Sequence, residues 1–194
     1  MAEVSETKRR GRGARERILA AASRLFAAQG IAATGMEQIA AQAPVSKRTL
    51  YAHFRTRDEL AIAHLQALAS SGATMEGALL RTDIGPRERI LLLFDPPPAD
   101  TPAVRGCPFI DAAAEFPDPD HPVHAYAREQ KLRMVRLVAE LVAELGHRDP
   151  EALAEQLVTL ADGAASRAMV LNRPDYGRHG RAAAQALLDR ARQD

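Results

Sequence analysis

The chain is poor in the residues on which most site chemistry depends. Among 194 residues it has one cysteine, no tryptophan, five Phe and three Tyr. A single Cys107 excludes an internal disulfide framework and a cysteine zinc site, and it fits a reducing compartment. No run approaches the roughly 20 apolar residues of a membrane span, and no apolar segment precedes a small-residue cleavage site. A soluble, cytoplasmic protein is therefore expected. With no glycine-rich phosphate loop, no nucleophile elbow and only scattered histidines, no catalytic constellation can be named. The expectation is a non-enzyme without a cofactor. The scarcity of aromatics also argues against a large flat ligand held by stacking.

Net charge is almost absent too, at +1, but its distribution is uneven. Residues 1–57 carry 11 Lys or Arg against 4 Asp or Glu, whereas residues 58–194 carry 15 against 21. A positive head on a negative body is the footprint of a protein that meets a polyanion at one end.

Hydrophobic spacing is helical almost throughout. Ile18, Leu19, Ala22, Leu25 and Phe26 form a stripe that ends at Gly30, a suitable C-cap. Thr34 and Glu37 have the spacing of a capping box, so a helix is expected from about Gly35, with Met36, Ile39, Ala40 and Ala43 on its apolar face. Pro44 ends it, because the ring removes a donor and clashes with the preceding turn. Ser46 is a good N-cap for the next helix. There Leu50 and Phe54 share one face, while Lys47, Arg48 and Tyr51 point elsewhere. Two short helices around a tight turn, the second one basic, make a helix-turn-helix suited to duplex DNA. Arg or Lys can meet guanine edges, and Thr49 can meet a thymine methyl or a phosphate. Ser46, Tyr51 and His53 suit phosphate positioning.

The segments RERILAAASRLFAAQG, TGMEQIAAQAPVSKRTLYAHF and RTRDEL together resemble the DNA-binding domain of the tetracycline-repressor (TetR) family, over about the first third of the chain. The resemblance implies an all-α homodimer: a three-helix DNA-binding head, a linking fourth helix and a larger ligand-binding and dimerising body. It also implies repression relieved by a small-molecule effector. Carried over by position, Thr34, Gln38, Ser46, Lys47, Arg48, Thr49, Tyr51, His53 and Arg57 fall where that family touches DNA. Two residues depart from its pattern. Pro44 stands where glycine is common, and since proline holds φ near −65° the turn is expected to be built differently. Arg48 replaces a small residue and reads either a guanine or a phosphate.

The expected organisation is a disordered basic arm over 1–14 (Lys8, Arg9, Arg10, Arg12), a DNA-binding domain over 15–56 and a helical body over 57–194. Thr56 and Glu59 form a second capping box, opening a helix with Leu60, His64, Leu65 and Leu68. Further helices are expected over Pro86–Phe94, Cys107–Phe116, Pro122–Leu145, Pro150–Leu171 and Arg178–Arg192, with DPPPADTP as an exposed loop. Small and apolar residues of the last two helices are candidates for a four-helix dimer interface: Leu157, Leu160, Ala161, Ala164, Ala168, Ala183, Ala186 and Leu187. GCPFIDAAAEFPDPDHP resembles a family segment that helps wall the effector pocket. Phe94, Phe109, Met134 and Met169 are candidate lining, and Asp111 and Arg167 are candidate anchors.

Three rivals share these residues. Glu115, Asp118, Asp120, His121 and His124 lie close enough in sequence to suggest a metal site, although three prolines interrupt them. Cys107 suggests a thiol sensor, although only Arg105 is near it in sequence. The third rival is a helical ligand-binding protein that no longer reads DNA.

Overall fold

The computed structural model describes residues 2–70, 75–96 and 106–190. Among them the chain is helical, without a strand. The helices are α1 (Ala2–Gln29), α2 (Met36–Gln42), α3 (Lys47–His53), α4 (Arg57–Ser70), α5 (Met75–Leu79) and α6 (Pro86–Leu91), then α7 (Pro108–Glu115), α8 (Pro122–Glu144), α9 (Pro150–Val170) and α10 (Gly177–Arg190). Short 3-10 turns cover Leu92–Phe94 and Pro174–Tyr176. Most of DPPPADTP lies outside the described residues.

Two compact units emerge, one of Met1–Ala67 with Ala112–Tyr126, the other of Leu68–Asp111 with Ala127–Asp194. The sequence places the division at 56/57; it falls instead after Ala67, because Leu60, Ala61, Ala63, His64 and Leu65 of α4 are buried. The backbone of α1 is helical from Ala2, so the basic run at residues 8–12 does not form an arm without secondary structure.

In the first unit the α1 stripe behaves as its spacing demands. Ile18, Ala22 and Phe26 are buried together with Ile39, Leu50, Phe54 and Leu60, and α1 packs on both α2 and α3. Gly30 ends the helix with φ of 90° and donates its amide to the Phe26 carbonyl at 2.9 Å.

In the second unit one apolar cluster joins α5, α6, α8, α9 and α10, including Leu79, Ile90, Phe94, Val138, Leu157 and Leu188. Its tightest approach is made by two glycines that the sequence reading passed over. A Cβ on Gly177 would lie 2.0 Å from the Phe94 carbonyl oxygen, and one on Gly180 would lie 2.7 Å from the Phe94 ring. Arg181 fixes the same junction, donating to the Leu91 carbonyl at 2.9 Å and pairing with Glu88 and Asp95 at 2.8 Å each. Helix α5 was also missed: five residues with a glycine inside leave too little periodicity to read.

This core corrects part of the expected dimer interface. Leu157, Ala161 and Ala164 are buried in their own subunit, because that stripe of α9 faces its own unit's core. Leu160, Ala168, Ala183 and Leu187 are half-buried and Ala186 is exposed, so these five retain surface that another chain can cover.

His64 is a buried titratable group with a consequence for stability. It is 7% exposed, its Nδ1 lies 2.8 Å from the Ser23 hydroxyl, and its ring meets Phe26 edge-on. Burial pushes its pKa down to about 4, whereas in the unfolded chain it titrates near its ordinary value of about 6.5. Between these values the unfolded state binds more protons, so stability rises with pH, and the loss is complete below about pH 4. Acidification through this window is expected to remove about 3 kcal/mol through His64. Urea unfolding at pH 7.5 and 4.5 checks this, because His64→Gln should lose clearly less stability than the wild type between the two.

Candidate nucleic-acid interface

Helix α3 presents the basic face. Its N-cap Ser46 has an extended backbone, and its hydroxyl accepts from the Thr49 amide at 3.0 Å. Leu50 is fully buried and Phe54 nearly so, which leaves Lys47, Arg48 and Tyr51 on the open side. Tyr51 is 47% exposed. Thr49 is half-buried, with its hydroxyl 2.8 Å from that of Ser46. Lys47 is not an idle cation: it forms an exposed ion pair with Glu37, whose hydrogen bond raises the lysine pKa.

The turn before α3 is built as if Pro44 were glycine. Pro44 has φ of 21°, and the Val45 amide donates to the Ala40 carbonyl at 3.1 Å. That is the long bond of a Schellman motif. The expectation of a different turn is corrected. The second bond of the motif, from residue 44 to the Ala41 carbonyl, has no donor, since proline lacks an N–H.

Two expected contacts change role. Thr34 does not cap α2, whose N-cap is Gly35 without a side-chain bond. It is 1% exposed and donates its hydroxyl to the Gly30 carbonyl at 2.6 Å. Capping-box spacing fits both arrangements, and the tight turn after α1 claims the hydroxyl. Arg57 is turned inward as well. It donates to the Ala32 carbonyl at 2.6 Å and lies 5.7 Å from the centre of the Phe116 ring. Gln38 is exposed, but its amide pairs reciprocally with that of Gln29 at 2.9 and 3.2 Å. His53 is half-buried and lines a cleft of about 670 Å³ with Arg15, Asp58, Glu59 and Gln66. The second capping box forms with a one-residue shift. The Thr56 hydroxyl accepts from the Glu59 amide at 3.1 Å, while the Glu59 carboxylate accepts from the Arg55 amide at 2.8 Å.

The side chains that remain outward are Gln38, Ser46, Lys47, Arg48 and Tyr51, carried by two helices on a buried support. Comparison with known proteins matches this head and the rest of the chain. A family model described as bacterial regulatory proteins, tetR family, matches residues 18–63, and one described as tetracyclin repressor-like, C-terminal domain, matches residues 97–184. A TetR-family transcriptional regulator from Streptomyces coelicolor is 30% identical, with a TM-score of 0.82 over 92% of this chain and 96% of that one. The chain belongs to the TetR family of transcriptional regulators. The HTH-type transcriptional regulator YjdC of Escherichia coli is 29% identical over 164 residues, 82% of this chain and 84% of YjdC. The HTH-type transcriptional activator FasR of Mycolicibacterium smegmatis is 40% identical over 76 residues, 39% of this chain and 35% of FasR. These family members are regulators rather than enzymes. Among the described residues no helix is long and apolar enough to cross a membrane.

For a TetR-family body, the candidate effector residues separate into two sets. Phe94 and Met134 belong to the buried core cluster. Arg167 is exposed and donates to the Tyr176 hydroxyl at 2.7 Å while stacking on its ring. Phe109 and Asp111 are half-buried on α7, and Met169 is 39% exposed. Gly106 brings the last two together: a Cβ there would lie 3.1 Å from the Met169 sulfur and 3.6 Å from an Asp111 carboxylate oxygen. Nearby, Lys131 pairs with Asp162 and donates to the Met134 sulfur at 3.6 Å. Cys107 is 8% exposed, and burial pushes its thiol pKa up although the Lys131 charge pulls the other way. That setting is the opposite of an activated thiol.

Four of the five candidate metal ligands around the proline-rich segment have protein partners. Glu115 accepts from the Ala32 amide, His121 pairs with Asp58, His124 donates to the Phe116 carbonyl, and Asp118 accepts from the Asp120 amide. Among the described residues no three such groups converge as metal ligands would.

A proline ring closes without strain only at φ near −65°, so the backbone at Pro44, with φ of 21°, is strained. Pro44→Gly relieves the strain and supplies the missing donor, against about 1 kcal/mol of added chain entropy. A net gain of stability in urea unfolding at unchanged m-value is expected. A loss of stability instead would mean that the ring keeps φ near −65° in solution.

Proposed function

We propose that this chain is a homodimeric repressor that grips a palindromic duplex DNA operator in the cytoplasm and is released by a small-molecule effector held in its second unit. The observation that carries this reading is the outward row of Ser46, Lys47, Arg48 and Tyr51 on a helix whose other face is buried. The positive balance of residues 1–57 supports it. In this reading Arg48 and Lys47 meet base edges or phosphates, and Ser46 and Tyr51 set register on the backbone. Two heads related by a two-fold axis meet successive major-groove turns. The half-exposed row of Leu160, Ala168, Ala183, Ala186 and Leu187 supplies the dimer contact, and the Gly106, Phe109, Asp111 and Met169 cluster supplies the effector site. A second reading, activation through the same binding mode, is favoured by the match to the activator FasR. A promoter fusion with and without the protein decides between the two.

A duplex selected from a random pool by the wild-type protein is the probe for recognition. Arg48→Ala is expected to weaken that duplex about tenfold or more. If Arg48 reads guanine, the loss comes with relaxed preference at one position; if it holds a phosphate, the loss is uniform and the salt slope falls by about one. Tyr51→Ala should cost a few-fold without changing preference. Equal binding of selected and unrelated duplexes by the wild type would overturn DNA reading. For the dimer, Ala186→Arg is expected to halve the mass in light scattering with the helical content unchanged, and an unchanged mass would move the interface elsewhere.

A further inference from the structure

The stretch from the end of α7 to the start of α8, which its sequence marks as a pocket wall or a metal cluster, belongs to the first unit, and its charged and aromatic groups hold the turn between α1 and α2. The backbone of Ala32, in the turn between α1 and α2, is held at both its amide and its carbonyl. Its amide donates to Glu115 Oε2 at 2.6 Å, and its carbonyl accepts from Arg57 Nη1 at 2.6 Å. Gly30 makes room for the carboxylate, because a Cβ there would lie 2.9 Å from Glu115 Oε1. The guanidinium of Arg57 faces the Phe116 ring, and that ring stacks on His121 with centres 4.4 Å apart. His121 accepts from the Val123 amide through Nδ1, which leaves Nε2 to donate to Asp58 at 3.3 Å. Asp58 and Arg57 both sit in the first turn of α4, so the ring of contacts closes on itself.

The backbone gripped in this way leads directly into the reading surface. Thr34, two residues on, bonds back to Gly30 through its hydroxyl, and Gln29 donates to the Ala33 carbonyl while pairing with Gln38 on α2. A shift of the Ala32 backbone therefore reaches the exposed amide of Gln38 and the axis of α2, on which α3 packs.

We propose that Glu115 and Arg57 are positioning residues of the DNA-reading head, fixing the turn that aims α2 and α3 without themselves contacting the duplex. The proposal rests on the DNA-reading function above. It is tested on the full-length protein with Glu115→Ala, Glu115→Gln and Arg57→Lys, measuring affinity for the selected duplex, affinity for an unrelated duplex, melting temperature and amide hydrogen exchange at Ala32. Glu115→Ala is expected to speed Ala32 exchange and to weaken the selected duplex at least tenfold. The unrelated duplex and the salt slope should hardly move, since no phosphate contact is lost, while the melting temperature falls by the few degrees expected of one lost hydrogen bond. Glu115→Gln should fall between, because its amide oxygen still accepts from Ala32, and Arg57→Lys should resemble Glu115→Ala more weakly. Unchanged exchange, faster exchange with unchanged selective affinity, or a parallel fall of both duplexes with the melting temperature would each overturn the proposal. Failure of the wild type to select any duplex would instead sink the DNA-reading function, and exchange at Ala32 would still show whether Glu115 holds the turn.

Discussion

A seven-residue helix does not hold its shape in water, because forming its first turn costs more than its few hydrogen bonds return. Helix α3 is such a helix, and whatever it presents to a partner depends on what holds it from outside. Here the support is burial of Leu50 and Phe54 against the α1 stripe of Ile18, Ala22 and Phe26. Burying two such side chains is worth about 2 kcal/mol each, and the Ser46 cap adds about 1 kcal/mol. The outer face is thereby freed from any structural duty. It can carry Lys47, Arg48 and Tyr51 in whatever combination a target sequence requires.

The same dependence extends one step outward. Helix α2 also has seven residues and begins on Gly35 with no side-chain cap, so its start must be fixed by the turn before it. That turn is saturated with hydrogen bonds: the Thr34 hydroxyl to Gly30, Gln29 to Ala33, and two ionised groups on the Ala32 backbone. A turn with Gly30 at its head, at φ of 90°, would be pliable if left alone. The charge-assisted bonds, each worth about 1.5–3 kcal/mol, remove that freedom where an error of angle would be magnified along α2 and α3.

How much of this was legible in the sequence depended on whether a signal was local. Ser46 marks a helix start through its hydroxyl and Gly30 a helix end through its backbone freedom, and each stands at the end it marks. Thr34 and Glu37 carried the right spacing, but a hydroxyl three residues before a carboxylate does not say which amide or carbonyl it will find. Pro44 was misjudged for a related reason: the ring's preference is local, while the chain direction demanded by Leu50 and Phe54 is not. Arg57, Glu115 and His121 were each read alone, as a DNA contact and two metal ligands. Their grouping joins residues more than fifty positions apart, and no periodicity announces it. The stripes of α9 and α10 show the converse limit. Apolar spacing states that a face is covered, but a neighbour in the same chain and a second copy satisfy it equally, and the structure moved Leu157, Ala161 and Ala164 into the first class.

Magnitudes limit what the proposed release from DNA can act on. Releasing a regulator from DNA requires a coupling free energy of about 1–3 kcal/mol, which an effector must supply through unequal affinity for two conformations. Dismantling a hydrophobic support such as that under Leu50 and Phe54 would cost more than this and would unfold the head. Loosening one charge-assisted bond on an exposed peptide lies within the range. The same arithmetic makes the Lys47 and Glu37 pair a modest influence on affinity, because exposed ion pairs contribute about 0–1 kcal/mol and are screened by salt. A duplex phosphate can take Lys47 from Glu37 at little cost, whereas it has no comparable claim on Arg57, whose guanidinium is already engaged by the Ala32 carbonyl and the Phe116 ring. In the proposed reading, selectivity of this head therefore resides less in how many cations it carries than in which of them the fold leaves free.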